Sequence, residues 1–179
     1  IPEVPVTAKT VAPIKKDTGI SQENVNDALI SLGLYECLHY SMVSEKSALL
    51  DNRFKAEDII KIGNPLSLEL ECMRPSLFGE MLATVERNVS RKNLNLRLFE
   101  IGNVFCANAD MYPEERRDLC IVLTGQKTPE RFSAELEDVY DFYDLKGLLE
   151  GLFEKLGITS CEFELSQDDA FAPGFSAAV

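Results

Sequence analysis

The chain has 179 residues and a mass of 20.0 kDa, the size of one domain, long enough to bury about 70% of its unfolded surface without disulfide or metal staples. Apolar residues make up 45% and charged residues 27%, with 18 Lys and Arg against 30 Asp and Glu and a formal net charge of −12. That composition excludes a disordered or fibrous chain and argues against nucleic acid as the main partner, because phosphate affinity rests on Lys and Arg. The acidity is uneven, net −2 over residues 1–106 and net −10 over 107–179.

No apolar run reaches the ~18 residues that a membrane helix requires, and no signal-peptide pattern is present. Cys37, Cys72, Cys106, Cys120 and Cys161 are odd in number, far apart and set among apolar neighbours, which reads as reduced core thiols in a cytosolic protein. With His39 as the lone imidazole there is no zinc spacing. The chain opens on Ile1 and stops at Val179 without a cap or polar tail, so it reads as a fragment, incomplete at its C-terminus.

Residues 1–17, with three prolines, read as an extended linker from an upstream domain, and 18–179 as one core domain. The first helix is capped by Ser21, carries an Ile20–Val25 staple, buries Val25, Ala28, Leu29 and Leu32, and stops at Gly33. Tyr35–Val43 reads as a strand, Asp58–Ile62 as a short second one ended by Gly63-Asn64-Pro65, and Glu71–Arg74 as a brief third. Ser76 is the expected cap of a second helix whose buried stripe is Leu77, Phe78, Met81, Leu82, Val85 and Val89. Leu94–Cys106 is a long strand. Arg117–Thr124 is apolar without alternation and reads as a central strand covered on both faces.

A third helix spans Phe142–Leu156, capped by Asp141 and stopped by Gly157, with Gly147 and Gly151 placed for close approach of another backbone. Cys161–Leu165 alternates as a last strand. Strands without regular βαβ alternation, with three helices among them, define an α+β fold with a largely antiparallel sheet.

No phosphate loop, dinucleotide fingerprint or nucleophile elbow is present. His39, between Leu38 and Tyr40, reads as a satisfied sheet histidine before a general base. The acids Glu135, Glu137, Asp138, Asp141 and Asp144 read as solvated charge at the start of the third helix, with a divalent cation as the rival use. Arg74, Arg87, Arg91, Lys92 and Arg97 are the only plausible phosphate contacts; the helix C-terminus explains most of them. On residues alone, an interaction or structural role leads any enzyme.

Four segments in order carry a resemblance: NPLSLELECMRPSLFGEMLATVERNVSRK at 64–92, LFEIGNVF at 98–105, PEERRDLCIVLTG at 113–125 and YDFYDLKGLLEGL at 140–152. With IPEVP at the start and SLGLYECLHYSMVS at 31–44, the chain resembles the β chain of bacterial phenylalanyl-tRNA synthetase over nearly its whole length. The resemblance implies a class II synthetase-like antiparallel sheet flanked by helices. It implies a catalytically silent copy that packs against the α chain in a cytoplasmic α2β2 heterotetramer. The parent enzyme uses ATP and Mg2+ to attach phenylalanine to tRNA, and this piece itself is expected to bind no cofactor or metal.

Catalytic copies carry an ATP-binding Arg after G-x-V-[FY], where this chain has Gly102-Asn103-Val104-Phe105-Cys106. A neutral thiol makes no bidentate phosphate contact. Ala172-Pro173-Gly174-Phe175 departs from the family's HPGR-like turn. Arg74, Ser76, Asn88, Arg91, Phe99, Glu100, Gly102, Asp144 and Lys146 match the family pattern and are expected to be structural or to lie at the α–β interface. The faces Val25/Ala28/Leu32 or Leu77/Met81/Val85 are expected to meet the α chain. Direct tRNA contact through Arg87, Arg91, Lys92 and Arg97, and residual weak binding of ATP or amino acid, are the rival readings.

Overall fold

A computed structural model describes residues 20–108, 112–127, 138–166 and 176–179. The expected linker, Glu135, Glu137 and residues 172–175 lie outside the described residues. In chain order the elements are α1 (Gln22–Ser31), β1 (Tyr35–Glu36), β2 (Met42–Val43), α2 (Glu45–Ala48), β3 (Cys72–Met73) and α3 (Phe78–Ser90). They continue with β4 (Leu96–Cys106), β5 (Glu114–Thr124), α4 (Phe142–Leu156), β6 (Glu164–Leu165) and β7 (Ala177–Ala178). The central sheet has the order β1-β4-β5; β2 pairs with β3 and β6 with β7.

The helices with strong local signals form where their ends are written. Ser21 accepts from the Asn24 amide, and Gly33 takes φ 83° beyond the helix end. Asp141 accepts from the Tyr143 and Asp144 amides while Asp144 reaches back to the Asp141 amide, closing a capping box. Gly157, at φ 72°, ends α4.

β4 and β5 pair antiparallel from Leu96↔Thr124 to Cys106↔Glu114, and β1 adds to β4 in parallel at Tyr35↔Leu98 and Glu36↔Phe99. Alternation along β4 divides two environments. Phe99 and Ile101 face α1 and α4, where they join Ala28, Leu29, Leu34, Leu148 and Leu152 in the main apolar core. Glu100 and Gly102, on the other face, meet Arg74. A second apolar cluster joins Val43, Ala48, Ile59 and Cys72.

Several expectations change. The strand expected over Tyr35–Val43 is two short pieces, β1 and β2, because the His39 amide turns to the Glu100 carboxylate (3.3 Å) instead of a β4 carbonyl. Asp58–Ile62 is not a strand. It follows a 3₁₀ turn at Ala56–Asp58 and makes one isolated antiparallel bridge, Lys61↔Cys72. Of the strand expected at Cys161–Leu165, only Glu164–Leu165 pairs.

β5 is an edge strand among the described residues, and β4 is the central one. Ser76 lies one residue before the α3 cap position; it is buried, and its Oγ accepts from the Phe78 amide at 3.4 Å. The α3 stripe is buried only at Leu77 and Met81, whereas Leu82 is 38% and Val89 43% exposed. Nor do Gly147 and Gly151 admit a neighbouring backbone. Among the described residues a Cβ on Gly147 would meet nothing within 4 Å, and one on Gly151 would make ordinary contact with Leu32. The close approach is at Gly79 instead, where a Cβ would lie 2.5 Å from the Ser47 carbonyl oxygen of α2.

Candidate functional site

Among the described residues the most deeply buried charged side chain is Glu100, in the middle of the central strand. Strand alternation aims it away from the apolar core, and the side chains of Arg74 and His39 converge on it. Its Oε1 accepts from Arg74 Nη1 at 2.7 Å, and its Oε2 faces His39 Nδ1 at 2.6 Å. The Glu100 side chain is 2% exposed, that of Arg74 4% and that of His39 9%. Arg74 also donates from Nε to the Asn103 carbonyl (3.0 Å), while its backbone joins Ser41 and Phe105.

His39 Nε2 faces Thr84 Oγ1 of α3 at 2.6 Å, and Thr84 Oγ1 accepts from Arg87 Nη2 at 2.9 Å. An ionised carboxylate only accepts, so the proton toward Glu100 sits on His39 Nδ1. Burial alone pushes the Glu100 carboxyl up, but hydrogen bonds from His39 and Arg74 outweigh it and hold the group below its ordinary value. The backbone makes room for this network: a Cβ on Gly102 would overlap Arg74 Nη2.

His39 is thus a satisfied histidine, as expected, but it lies outside any regular strand. Its link to Glu100 was not anticipated. The two residues are 61 positions apart, and the only sequence signal was a carboxylate inside the apolar run LFEIGNVF.

The expected phosphate contacts do not form one patch. Arg74 is buried on Glu100, and Arg97 turns inward to donate to the Leu32 carbonyl (2.6 Å) and Tyr140 Oη (3.3 Å), stacking over the Tyr140 ring. Arg87 is tied to Thr84. Arg91 and Lys92 are exposed at the end of α3, where Lys92 adopts φ 64°. Asn88 holds that end through the Thr84 carbonyl and Asn93.

Of the acid run, Asp138 and Asp144 pair with Lys127 (3.3 and 2.9 Å), and Asp141 is the α4 cap. Bonds from the Asp141 amide and then Lys127 hold Asp144 below the ordinary carboxylate range. Among the described residues no His, Cys, Asp and Glu group is arranged to hold a metal ion. Lys146 contacts Glu150 at 3.6 Å and lies over the Phe163 ring.

Cys106 ends β4 opposite Glu114, with its Sγ 4.0 Å from the Pro75 carbonyl oxygen. Burial pushes its thiol up, so it is ionised less readily than a free cysteine. Both helix faces expected to meet a partner are largely used inside the chain. Ala28 belongs to the main core with Val25 and Leu32 packed on it, and Leu77 and Met81 are buried. Exposed apolar side chains instead flank His39: Leu38 at 81% and Tyr40 at 77%.

The α+β fold, with its antiparallel-rich sheet and flanking helices, is of the class II aminoacyl-tRNA synthetase type. Two solved structures share it. A pyrrolysyl tRNA synthetase from Desulfitobacterium hafniense superposes with TM-score 0.56 at 20% identity, covering 82% of this chain and 47% of that one. An ATP phosphoribosyltransferase regulatory subunit/histidyl-tRNA synthetase from Bacillus halodurans C gives TM-score 0.57 at 14% identity, covering 87% and 41%. The family model for the phenylalanyl tRNA synthetase beta chain CLM domain matches residues 1–179, and the chain belongs to that family.

Among its relatives, the phenylalanine–tRNA ligase beta subunit of Photorhabdus laumondii is 33% identical and that of Yersinia pestis 34%. Each alignment covers 100% of this chain and 22% of the relative, so the chain spans about a fifth of those proteins. No helix of the described residues is long and apolar enough to cross a membrane.

Proposed function

We propose that this domain is the catalytically silent, synthetase-like core of a phenylalanine–tRNA ligase β subunit, and that it scaffolds the α chain that carries out ATP-dependent attachment of phenylalanine to tRNA in the cytoplasm. The observation that carries the reading is Cys106. By the resemblance it stands where catalytic copies of the fold carry an ATP-binding Arg, and its thiol is partly buried, with burial raising its pKa. The cations nearby are already paired, Arg74 with Glu100 and Arg116 with Asp118. Glu100 in turn has both oxygens engaged, which leaves it no role as a general base. Calorimetric titration of the chain with ATP and Mg2+, and with phenylalanine, is expected to give no binding heat at millimolar ligand; a saturable isotherm would overturn the silent reading.

For the scaffold, the supporting surface is the segment after β1, where Leu38 and Tyr40 project outward while His39 between them points in. The relatives are named as beta subunits, so a second subunit is the occupant this surface is assigned to. In the complete β subunit, Leu38→Asp or Tyr40→Asp is expected to weaken α-chain binding at least about tenfold, as for a central apolar anchor. Unchanged affinity for both variants would remove this surface from the interface.

A further inference from the structure

We infer that His39 is a positioning residue for subunit docking: its ring latches the Leu38–Tyr40 segment onto β4 and α3 and so holds those two side chains in their binding arrangement. This rests on the docking surface just proposed and concerns how that surface is kept in shape. Two observations carry it. Regular sheet pairing of this segment stops after Glu36, with one further bond from the Cys37 amide to the Phe99 carbonyl (2.7 Å), so from residue 38 to 40 the ladder gives no support. In its place, the His39 amide and ring both bind Glu100, and the far ring nitrogen binds Thr84.

An exposed apolar pair on a backbone without ladder bonds loses conformational entropy on docking unless something has already ordered it. The histidine supplies that order from the inner face, without touching the partner. The groups facing it are Glu100 of β4, Arg74 behind Glu100, and Thr84 and Arg87 of α3. Together they form a directed chain in which Arg87 donates to Thr84, while His39 and Arg74 donate to the two oxygens of Glu100.

The test uses the complete β subunit and its α chain, with subunit affinity and amide hydrogen exchange over residues 37–41 as readouts. His39→Leu removes both ties, His39→Asn retains a donor at the Nδ1 position, and Thr84→Val removes only the α3 tie. The expected result is that His39→Leu weakens assembly about tenfold or more and speeds exchange at residues 38–40, with His39→Asn recovering most of both. Thr84→Val is expected to do the same to a smaller extent, and it carries the test should His39→Leu fail to fold.

If His39→Leu, or Thr84→Val in its place, binds the α chain like the wild type while Leu38→Asp weakens binding, the latch is overturned and the docking surface stands. If Leu38→Asp and Tyr40→Asp also leave binding unchanged, the docking reading falls with it. Weakened assembly with unchanged local exchange would likewise overturn the latch, since the loss would then come from somewhere other than the ordering of this segment.

Discussion

Glu100→Gln is expected to lower the unfolding free energy of the chain by about 3–5 kcal/mol, the cost of leaving one member of a buried ion pair uncompensated. The side chain keeps its shape but loses its charge, so Arg74, with 4% of its side chain exposed, is left as a buried guanidinium without a counter-charge. Urea denaturation at neutral pH measures the loss. The double variant Glu100→Gln with Arg74→Met is expected to recover much of it, because removing both charges removes the desolvation penalty as well. Equal losses in the single and double variants would mean that the pair itself matters less than the space it fills.

The same carboxylate gives the fold an acid sensitivity with a defined sign. Its native pKa is lowered from the ordinary 4.5, so its contribution is complete above that value and is lost as pH falls through the lowered native value. In Glu100→Gln that part of the pH dependence disappears, and the stability difference between wild type and variant should shrink on acidification.

The second large effect is at Gly102. Gly102→Ala places a Cβ on top of Arg74 Nη2, and the guanidinium is not free to swing aside because Nη1 is held by Glu100 and Nε by the Asn103 carbonyl. Overpacking of a filled site costs about 1–3 kcal/mol, and here a displaced buried charge is added to it. The cost should fall sharply when Arg74 is already Met, so the two substitutions are expected to be strongly non-additive. If Gly102→Ala costs the same in both backgrounds, the glycine is required for some reason other than the arginine.

Legibility from sequence followed the range of the interactions. α1 and α4 were readable because Ser21, Gly33, Asp141 and Gly157 are local signals, each acting within one turn of the residue that carries it. β4 and most of β5 were readable as strands from the apolar runs alone, but not the Glu114–Arg116 start of β5, their pairing or their place in the sheet. A strand that reads as buried on both faces, such as Arg117–Thr124, lies at the edge of the described sheet, and periodicity does not encode lateral order. The division of Tyr35–Val43 was hidden for a related reason: a carboxylate 61 positions beyond His39 captures the amide that would have continued the ladder.

The site divided the same way. The family motifs picked out Arg74, Glu100 and Gly102 individually, without indicating that a glycine, an arginine and a glutamate form one packed unit. His39 reads in the sequence as a satisfied sheet histidine, with nothing to name its partners. The basic residues looked alike in sequence, yet Arg97 is turned onto the Leu32 carbonyl and Arg91 is exposed, a difference set by strand facing and helix phase rather than by composition.

At its middle β4 presents two kinds of surface, apolar Phe99 and Ile101 toward one layer and Glu100 with Gly102 toward the other. A slip of one residue against β5 would exchange them, driving a carboxylate into the space of an aromatic ring and stranding Arg74 opposite a bulky side chain. Such a near-miss pairing offers no stable halfway state. A buried ion pair adds little net stability over a well-packed apolar pair, so its expected effect here falls on strand alignment, penalising the wrong sheet more than it favours the right one.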